Sequence, residues 1–90
     1  MAIGIVFQGD SVSQEQYERI AEQVMPGDQL PPGLRYHAAG FSENGMVVFE
    51  VWDTQEAAQQ FFDETLGPAL QAANVSVQPT FLQIAKSMQP

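Results

Sequence analysis

Apolar residues along the chain change from strand-like to helix-like spacing and back. Residues 2–8 form an apolar run followed by Gly9-Asp10, which predicts a strand with a turn after it. Ser13 and Gln16 then have the spacing of a capping box, which predicts the start of a helix. Apolar positions after this box recur at three- and four-residue intervals, as in one buried helical stripe. They are Tyr17, Ile20, Ala21 and Val24.

A hairpin and a second helix are predicted in the middle of the chain. Residues 34–41 and 46–52 read as strands, and Asn44-Gly45 between them readily accepts positive φ. Asp53 and Glu56 follow with the spacing of another capping box, so we expect Asp53 to cap the second helix.

The end of the chain predicts one more strand. Gly67-Pro68 is expected to stop the second helix, and residues 68–73 are compatible with one further helical turn. Residues 75–86 are predicted to form the last strand, which Pro79 bends or places at the edge of the sheet.

The resulting order of elements is βαββαβ. This order is typical of the α+β ferredoxin-like plait, an antiparallel four-stranded sheet with two helices on one face. A chain of 90 residues has the length of one domain, so we assign residues 1–90 to a single domain.

The third predicted strand is apolar on both faces. One face contains Val47, Phe49 and Val51, and the other contains Met46, Val48 and Trp52, with Glu50 between them. We expect the first set, and Tyr36 on the neighbouring strand, to pack against the helices. The second set then lies on the bare face of the sheet, where another copy of the protein is the simplest cover. The pattern therefore predicts a homodimer that packs sheet to sheet.

Charge excludes several classes of partner. The chain has 3 Lys and Arg against 11 Asp and Glu, a net charge of −8. Nucleic acid and anionic membranes need clustered cations and are therefore poor partners. The first residues lack the basic region of a signal peptide, and no apolar stretch is long enough to span a bilayer, so we expect a cytoplasmic protein.

Three side chains on the second and third strands are candidates for a functional site: His37, Glu50 and Trp52. A four-residue loop of Ser42–Gly45 places His37 opposite Glu50 and Arg35 opposite Trp52, whereas a turn of only Asn44-Gly45 places His37 opposite Trp52. In both registers the three candidates share a face, and a three- or five-residue loop, or a bulge, would reverse that relation. A carboxylate is rarely buried in an apolar stripe unless it is paired. We therefore interpret His37 and Glu50 as a pair that holds or moves a proton. The alternative is a hydrogen-bonded pair that only satisfies buried polarity.

No motif predicts a bound metal or cofactor. One histidine and no cysteine cannot complete a closed zinc site within one chain. The sequence also contains neither a phosphate-binding loop nor a dinucleotide-binding fingerprint. We therefore expect no metal site and no cofactor.

The sequence from Gly45 to Leu70 resembles a known superfamily. Val51-Trp52-Asp53-Thr54-Gln55-Glu56-Ala57, then Phe61-Phe62 and Leu66-Gly67-Pro68-Ala69-Leu70, is similar to small bacterial proteins of the dimeric α/β-barrel superfamily. This superfamily includes the antibiotic biosynthesis monooxygenase family, and the similarity is to its small, uncharacterised branch. The resemblance implies a homodimer in which Trp52 lines a cavity. The haem-degrading branch has a histidine on the second helix. The second helix predicted here has no histidine, which disfavours haem degradation.

Two classes of function follow from these observations. In the first, an enzyme acts on a small aromatic or polyketide-like molecule without metal or flavin; His37 is the base, Glu50 orients it and Trp52 stacks on the substrate. The other expected ligand-binding residues are Arg35, Met46 and Val48. In the second, the protein is a non-catalytic ligand-binding or accessory homodimer. An open pocket between the sheet and the partner favours the first class, and a space filled by side chains favours the second.

Overall fold

A computed structural model describes residues 2–88 and 90 of the chain. Its elements, in chain order, are β1 (Ile3–Gly9), α1 (Gln14–Val24), a 3-10 turn (Pro26–Asp28), β2 (Leu34–Ser42), β3 (Gly45–Trp52), α2 (Gln55–Phe61), a π-helical turn (Phe62–Leu66), α3 (Gly67–Ala72) and β4 (Gln78–Gln83). The sheet has the strand order β2-β3-β1-β4, and each neighbouring pair is antiparallel. The helices cover one face of it. This architecture confirms the predicted ferredoxin-like plait.

Helix α1 begins at the predicted capping box. The Ser13 hydroxyl accepts a hydrogen bond from the Gln16 N–H at 3.1 Å, and the Gln16 side-chain oxygen accepts one from the Ser13 N–H at 2.9 Å. In the predicted apolar stripe Ile20 is buried, and the other three residues pack against the core. Capping and periodicity thus agree with the observed helix.

The second helical region differs from the prediction at both ends. Its N-cap is Thr54 and not Asp53; the Thr54 hydroxyl accepts from the Ala57 N–H at 3.1 Å. Gly67 does not stop the helix but keeps helical φ and ψ of −57° and −50°. Pro68 lacks an N–H, and in a regular α-helix its ring would collide with the carbonyl four residues earlier. The wider π-helical turn before it allows the chain to continue helically.

The hairpin between β2 and β3 has the register predicted for the four-residue loop, but the loop itself is shorter: Ser42 pairs with Gly45, and only Glu43 and Asn44 lie in the turn. His37 pairs with Glu50, and Phe41 pairs with Met46. Gly45 has a φ of 120°, and a Cβ there would collide with the carbonyl oxygen of Gly9. Glycine is therefore required at the end of this turn.

Strand β4 is an edge strand, as Pro79 predicted, although at Gln78–Gln83 it is shorter than the expected range of 75–86. Pro79 pairs with Phe7 on β1, the single neighbour of β4 in the sheet. Because the outer side of an edge strand makes no ladder hydrogen bonds, a residue without an N–H is tolerated there.

The predicted orientation of β3 is wrong. Met46, Val48 and Trp52 face the helices and are buried, with Trp52 only 1% exposed. The open face of the sheet instead carries Val47, Phe49, Val51 and Tyr36. The reason lies in β1, whose bulky Ile3, Ile5 and Phe7 are buried and pair with Trp52, Glu50 and Val48 respectively. The larger β1 side chains select the core face for both strands.

Candidate functional site

Hydrogen bonds join four side chains from α1, β2 and β3. The Tyr17 hydroxyl lies 2.6 Å from His37 Nε2, and His37 Nδ1 lies 2.7 Å from Glu50 Oε2. The Trp52 Nε1–H donates to Glu50 Oε1 at 2.9 Å. We call Tyr17, His37, Glu50 and Trp52 the tetrad. The predicted proximity of His37, Glu50 and Trp52 on one sheet face is therefore observed, but on the face that meets the helices.

The direction of each hydrogen bond follows from the available donors. With Glu50 as a carboxylate, Trp52 Nε1 and His37 Nδ1 both donate to it. The neutral imidazole, with its proton assigned to Nδ1 on this basis, then accepts the Tyr17 O–H at Nε2. Burial and, next, the negative charge of Glu50 raise the pKa of the Tyr17 hydroxyl above its ordinary value of 10.0. Tyr17 is therefore kept as the protonated donor.

Glu50 is the one buried charged side chain among the described residues, at 4% exposure. It is placed there because its position on β3 alternates with the outward-facing Phe49 and Val51 and pairs with buried Ile5. A carboxylate removed from water requires hydrogen-bond donors, and the tetrad supplies two. Glu50 is consequently an oriented acceptor inside an apolar layer.

Arg35 lies outside the tetrad, and its predicted pairing with Trp52 is wrong. Leu34 pairs with Trp52, because the register of β2 shifts by one residue between Leu34 and Tyr36. Such a bulge redirects the side chain of the extra residue. Arg35 Nε lies 2.6 Å from Asp53 Oδ1, and both side chains are more than half exposed.

Two cavities lie between the sheet and the helices, and Glu50 lines both. The outer cavity has a volume of about 190 Å³, and its walls include Trp52 and Phe61. The inner cavity, so named because none of its lining residues is exposed, has a volume of about 50 Å³, and its walls include Tyr17 and His37. The expectation of a pocket between the sheet and a partner subunit is therefore wrong in location, because the tetrad faces the helices of its own chain.

The outer cavity opens between α2 and the edge strand β4. Gln59, Pro79 and Phe81 line it and are exposed. Trp52 and Ala58 line its interior and are buried. The outer cavity is therefore lined both by exposed residues at the β4 edge and by the buried indole of Trp52 and carboxylate of Glu50.

The predicted ligand-binding residues are divided among three places. Trp52 lines the outer cavity, Met46 and Val48 line the inner cavity, and Arg35 lines neither.

Two residues of the site are not among the predicted candidates. Tyr17 belongs to the predicted apolar stripe of α1, although its hydroxyl indicates a need for a polar partner on the buried side. Phe61, the last residue of α2, has its ring centroid 5.5 Å from that of Trp52 and forms part of both cavities.

Within the described residues, no three His, Cys, Asp or Glu side chains come together in a group that could hold a metal ion. In the same part of the chain, no helix is both long and apolar enough to cross a membrane.

Comparison with known proteins finds similarity in structure. No family model matches the sequence, and a search of curated proteins found no match. Among solved structures, Rv0793 from Mycobacterium tuberculosis superposes with a TM-score of 0.74 at 12% identity, covering 99% of this chain and 100% of that one. SnoaB, a cofactor-independent oxygenase from Streptomyces nogalater, gives 0.67 at 13% identity, with 99% and 96% covered. A candidate antibiotic biosynthesis monooxygenase from Deinococcus radiodurans gives 0.68 at 14% identity, with 100% and 98% covered.

These structures place the chain in a fold class. It has the ferredoxin-like fold of antibiotic biosynthesis monooxygenase-like proteins, which confirms the resemblance of residues 45–70 at the level of the fold. One fold hosts many activities, so the function must be argued from the site.

Proposed function

We propose that the protein binds a single-ring phenol in the outer cavity and oxygenates it with dioxygen, without a metal or flavin. One observation carries this proposal: the outer cavity is lined by Glu50 and Trp52, two buried members of the hydrogen-bonded tetrad. The same fold in SnoaB, described as a cofactor-independent oxygenase, supports the reaction class.

The size of the ligand follows from the volume of the outer cavity. A cavity of about 150 Å³ in a protein core accepts benzene. At about 190 Å³ the outer cavity accommodates one aromatic ring with a small substituent, and a fused ring system exceeds it. The rings of Trp52 and Phe61, with centroids 5.5 Å apart, offer aromatic faces to such a ligand.

The charge of the ligand follows from Glu50. A carboxylate at the far wall repels an anionic ligand and favours a hydroxyl that can donate to it. Arg35, which could have balanced an acid group, lies at the surface beside Asp53. A neutral phenol is therefore preferred over an aromatic acid.

In the proposed reaction the Glu50–His37 pair acts first as base and then as acid. The phenol hydroxyl donates its proton to the pair, whose 2.7 Å hydrogen bond distributes the added charge. Tyr17 fixes the imidazole through its Nε2. The phenolate left behind is electron-rich enough to reduce dioxygen by one electron.

The remaining steps balance without another reductant. The phenoxyl radical and superoxide combine to form a C–O bond at a ring carbon, and the pair returns its proton to the distal oxygen. The O–O bond then breaks, the ring carbon loses its hydrogen as a proton, and the leaving hydroxide takes up that proton. Overall, one phenol and one dioxygen give one quinone and one water, with four electrons passing from the ring to oxygen.

A second candidate is a binding protein without catalysis. The observation that favours it is that both ring nitrogens of His37 are already hydrogen-bonded, as in a tetrad that serves only to satisfy buried polarity. This candidate shares the phenol site and differs in predicting no turnover.

We also propose that two copies associate through the open face of the sheet. This face carries Tyr36, Val47 and Leu82, each more than 40% exposed, beside half-buried Phe49 and Val51. These residues are uncharged, so a second copy can approach this face without like-charge repulsion, despite a net charge of −8. A two-fold axis would bring identical apolar patches together.

The experiment measures dioxygen uptake and quinone formation with single-ring phenols, with naphthol as a size control. We expect one dioxygen consumed per quinone, with one quinone oxygen derived from isotope-labelled dioxygen. Glu50→Gln keeps the side-chain shape and removes the base, so the rate should fall about 100-fold or more. Glu56→Gln, the same change on the exposed side of α2, should leave the rate unchanged.

Binding of phenol without any dioxygen uptake would overturn the oxygenase and favour the binding protein. Equal rates for the wild type and Glu50→Gln would mean that the tetrad takes no part in the reaction. Absence of binding by every phenol would reject both candidates.

A further inference from the structure

The inner cavity has a chemical character of its own. Its volume is about 50 Å³, and thirteen of the sixteen residues that line it are aliphatic, aromatic or thioether side chains. The three polar residues are Tyr17, His37 and Glu50. A cavity of about 150 Å³ accepts benzene. The inner cavity has only about a third of that volume, so it is too small for a ring.

The polar side of the inner cavity offers no free hydrogen-bond donor to water. The Tyr17 O–H and the His37 Nδ1–H are already directed to acceptors within the tetrad, and each Glu50 oxygen accepts a hydrogen bond. A buried water normally makes two to four hydrogen bonds, whereas an apolar cavity stays dry and takes up xenon or benzene. A space equal to about four water-sized spheres, with committed donors, suits a small apolar molecule.

The inner cavity also adjoins the outer one. Four residues line both: Phe7, Glu50, Phe61 and Leu66. A small molecule held in the inner cavity is therefore separated from a ring in the outer cavity only by side chains of one shared wall.

We propose that the inner cavity is a binding site for a diatomic or monatomic apolar gas, and that it holds dioxygen beside the ring. The role of dioxygen rests on the proposed function, whereas gas binding itself does not. The ligand is selected by size, by the mostly apolar wall and by the lack of free hydrogen-bond donors. Stored there, it meets the phenolate without crossing bulk water.

Xenon is the probe for the site, because it is apolar, similar in size and visible in crystals. Crystals of the wild type under xenon pressure should contain a xenon atom in the inner cavity. Val48→Ile adds one methylene at the wall of this cavity, and the inner xenon should be lost. Val47→Ile makes the same change on the opposite face of β3 and should retain it. Val75→Ile fills the same cavity from the loop before β4 and serves if Val48→Ile does not fold.

Turnover separates this inference from the proposed function. If phenols are oxygenated, Val48→Ile should raise the KM for dioxygen several-fold and leave the KM for phenol unchanged, whereas Val47→Ile should change neither. Xenon in the inner cavity with no oxygenation would support the gas site and overturn the proposed reaction. Oxygenation with no inner xenon, or with an unchanged KM for dioxygen in both filling variants, would overturn the gas site and leave the reaction standing.

Discussion

Val47 and Val48 are neighbours in β3 but lie in different environments. Val48 is 5% exposed and contributes to the core between the sheet and the helices, whereas Val47 is 41% exposed on the open face. The two side chains alternate as strand geometry requires. The same substitution at each of the two positions can therefore distinguish an effect on folding from an effect on dimer assembly.

A lysine substitution should have different effects at Val48 and at Val47. Val48→Lys places a charge in the core and should cost several kcal/mol, enough to unfold much of the protein. Val47→Lys places the charge on the proposed interface, so it should convert a dimer to a folded monomer. Thermal unfolding and sedimentation mass distinguish the two effects. A wild type that sediments as one chain at micromolar concentration would contradict the dimer.

Glu50 should contribute strongly to stability. Glu50→Ala leaves the Trp52 and His37 N–H groups without acceptors in the core, which should cost about 3 kcal/mol. Glu15→Ala removes an exposed carboxylate paired with Arg19 and should cost about 0.5 kcal/mol or less. Denaturant unfolding measures both. Equal losses in the two variants would mean that the tetrad does not stabilise the fold.

Tyr17 should make stability depend on alkaline pH. Its folded-state pKa is raised above the ordinary value of 10.0, because burial and the charge of Glu50 disfavour the phenolate. The stability contributed by the neutral Tyr17 hydroxyl is therefore fully present below about pH 10, and it is lost as pH rises through the folded-state pKa of Tyr17. Ultraviolet titration of tyrosinate should show a transition shifted to high pH that disappears in Tyr17→Phe and persists in Tyr36→Phe. A shifted transition that survives in Tyr17→Phe would refute the assignment.

The cap of α2 gives a local test of the fold. Thr54→Ala removes the side-chain acceptor for the Ala57 N–H and should cost about 1 kcal/mol. Asp53→Ala, one residue earlier, removes only an exposed ion pair with Arg35 and should cost about 0.5 kcal/mol or less. If Asp53→Ala were the more damaging change, Asp53 and not Thr54 would be the cap.

The hairpin and the pairing of His37 with Glu50 could be predicted because they depend on neighbouring residues. Asn44-Gly45 locates the turn. The alternation of side chains along the two paired strands then fixes that positions 37 and 50 share a face. Arg35 was misplaced because a bulge depends on packing beyond the hairpin, and the hairpin sequence carries no sign of it.

The orientation of β3 could not be predicted from β3 itself. Val47, Phe49 and Val51 are as apolar as Met46, Val48 and Trp52, so alternation did not identify the core face. Pairing with β1, more than 40 residues away in sequence, decides it. Tyr17 was missed for a similar reason, since it lies 20 residues from His37 and joins it only when α1 packs on the sheet.

The indole N–H of Trp52 gives the most direct measurement of the central claim, because the chain has one tryptophan, whose side chain lines the outer cavity and whose N–H donates to Glu50. Nuclear magnetic resonance with nitrogen-labelled protein follows this single indole signal during titration with phenol and, separately, with benzoate. We expect a saturable shift with phenol below millimolar concentration and none with benzoate, because Glu50 repels the carboxylate. An indole signal that stays unmoved by phenol up to millimolar concentration would contradict the site and the function built on it.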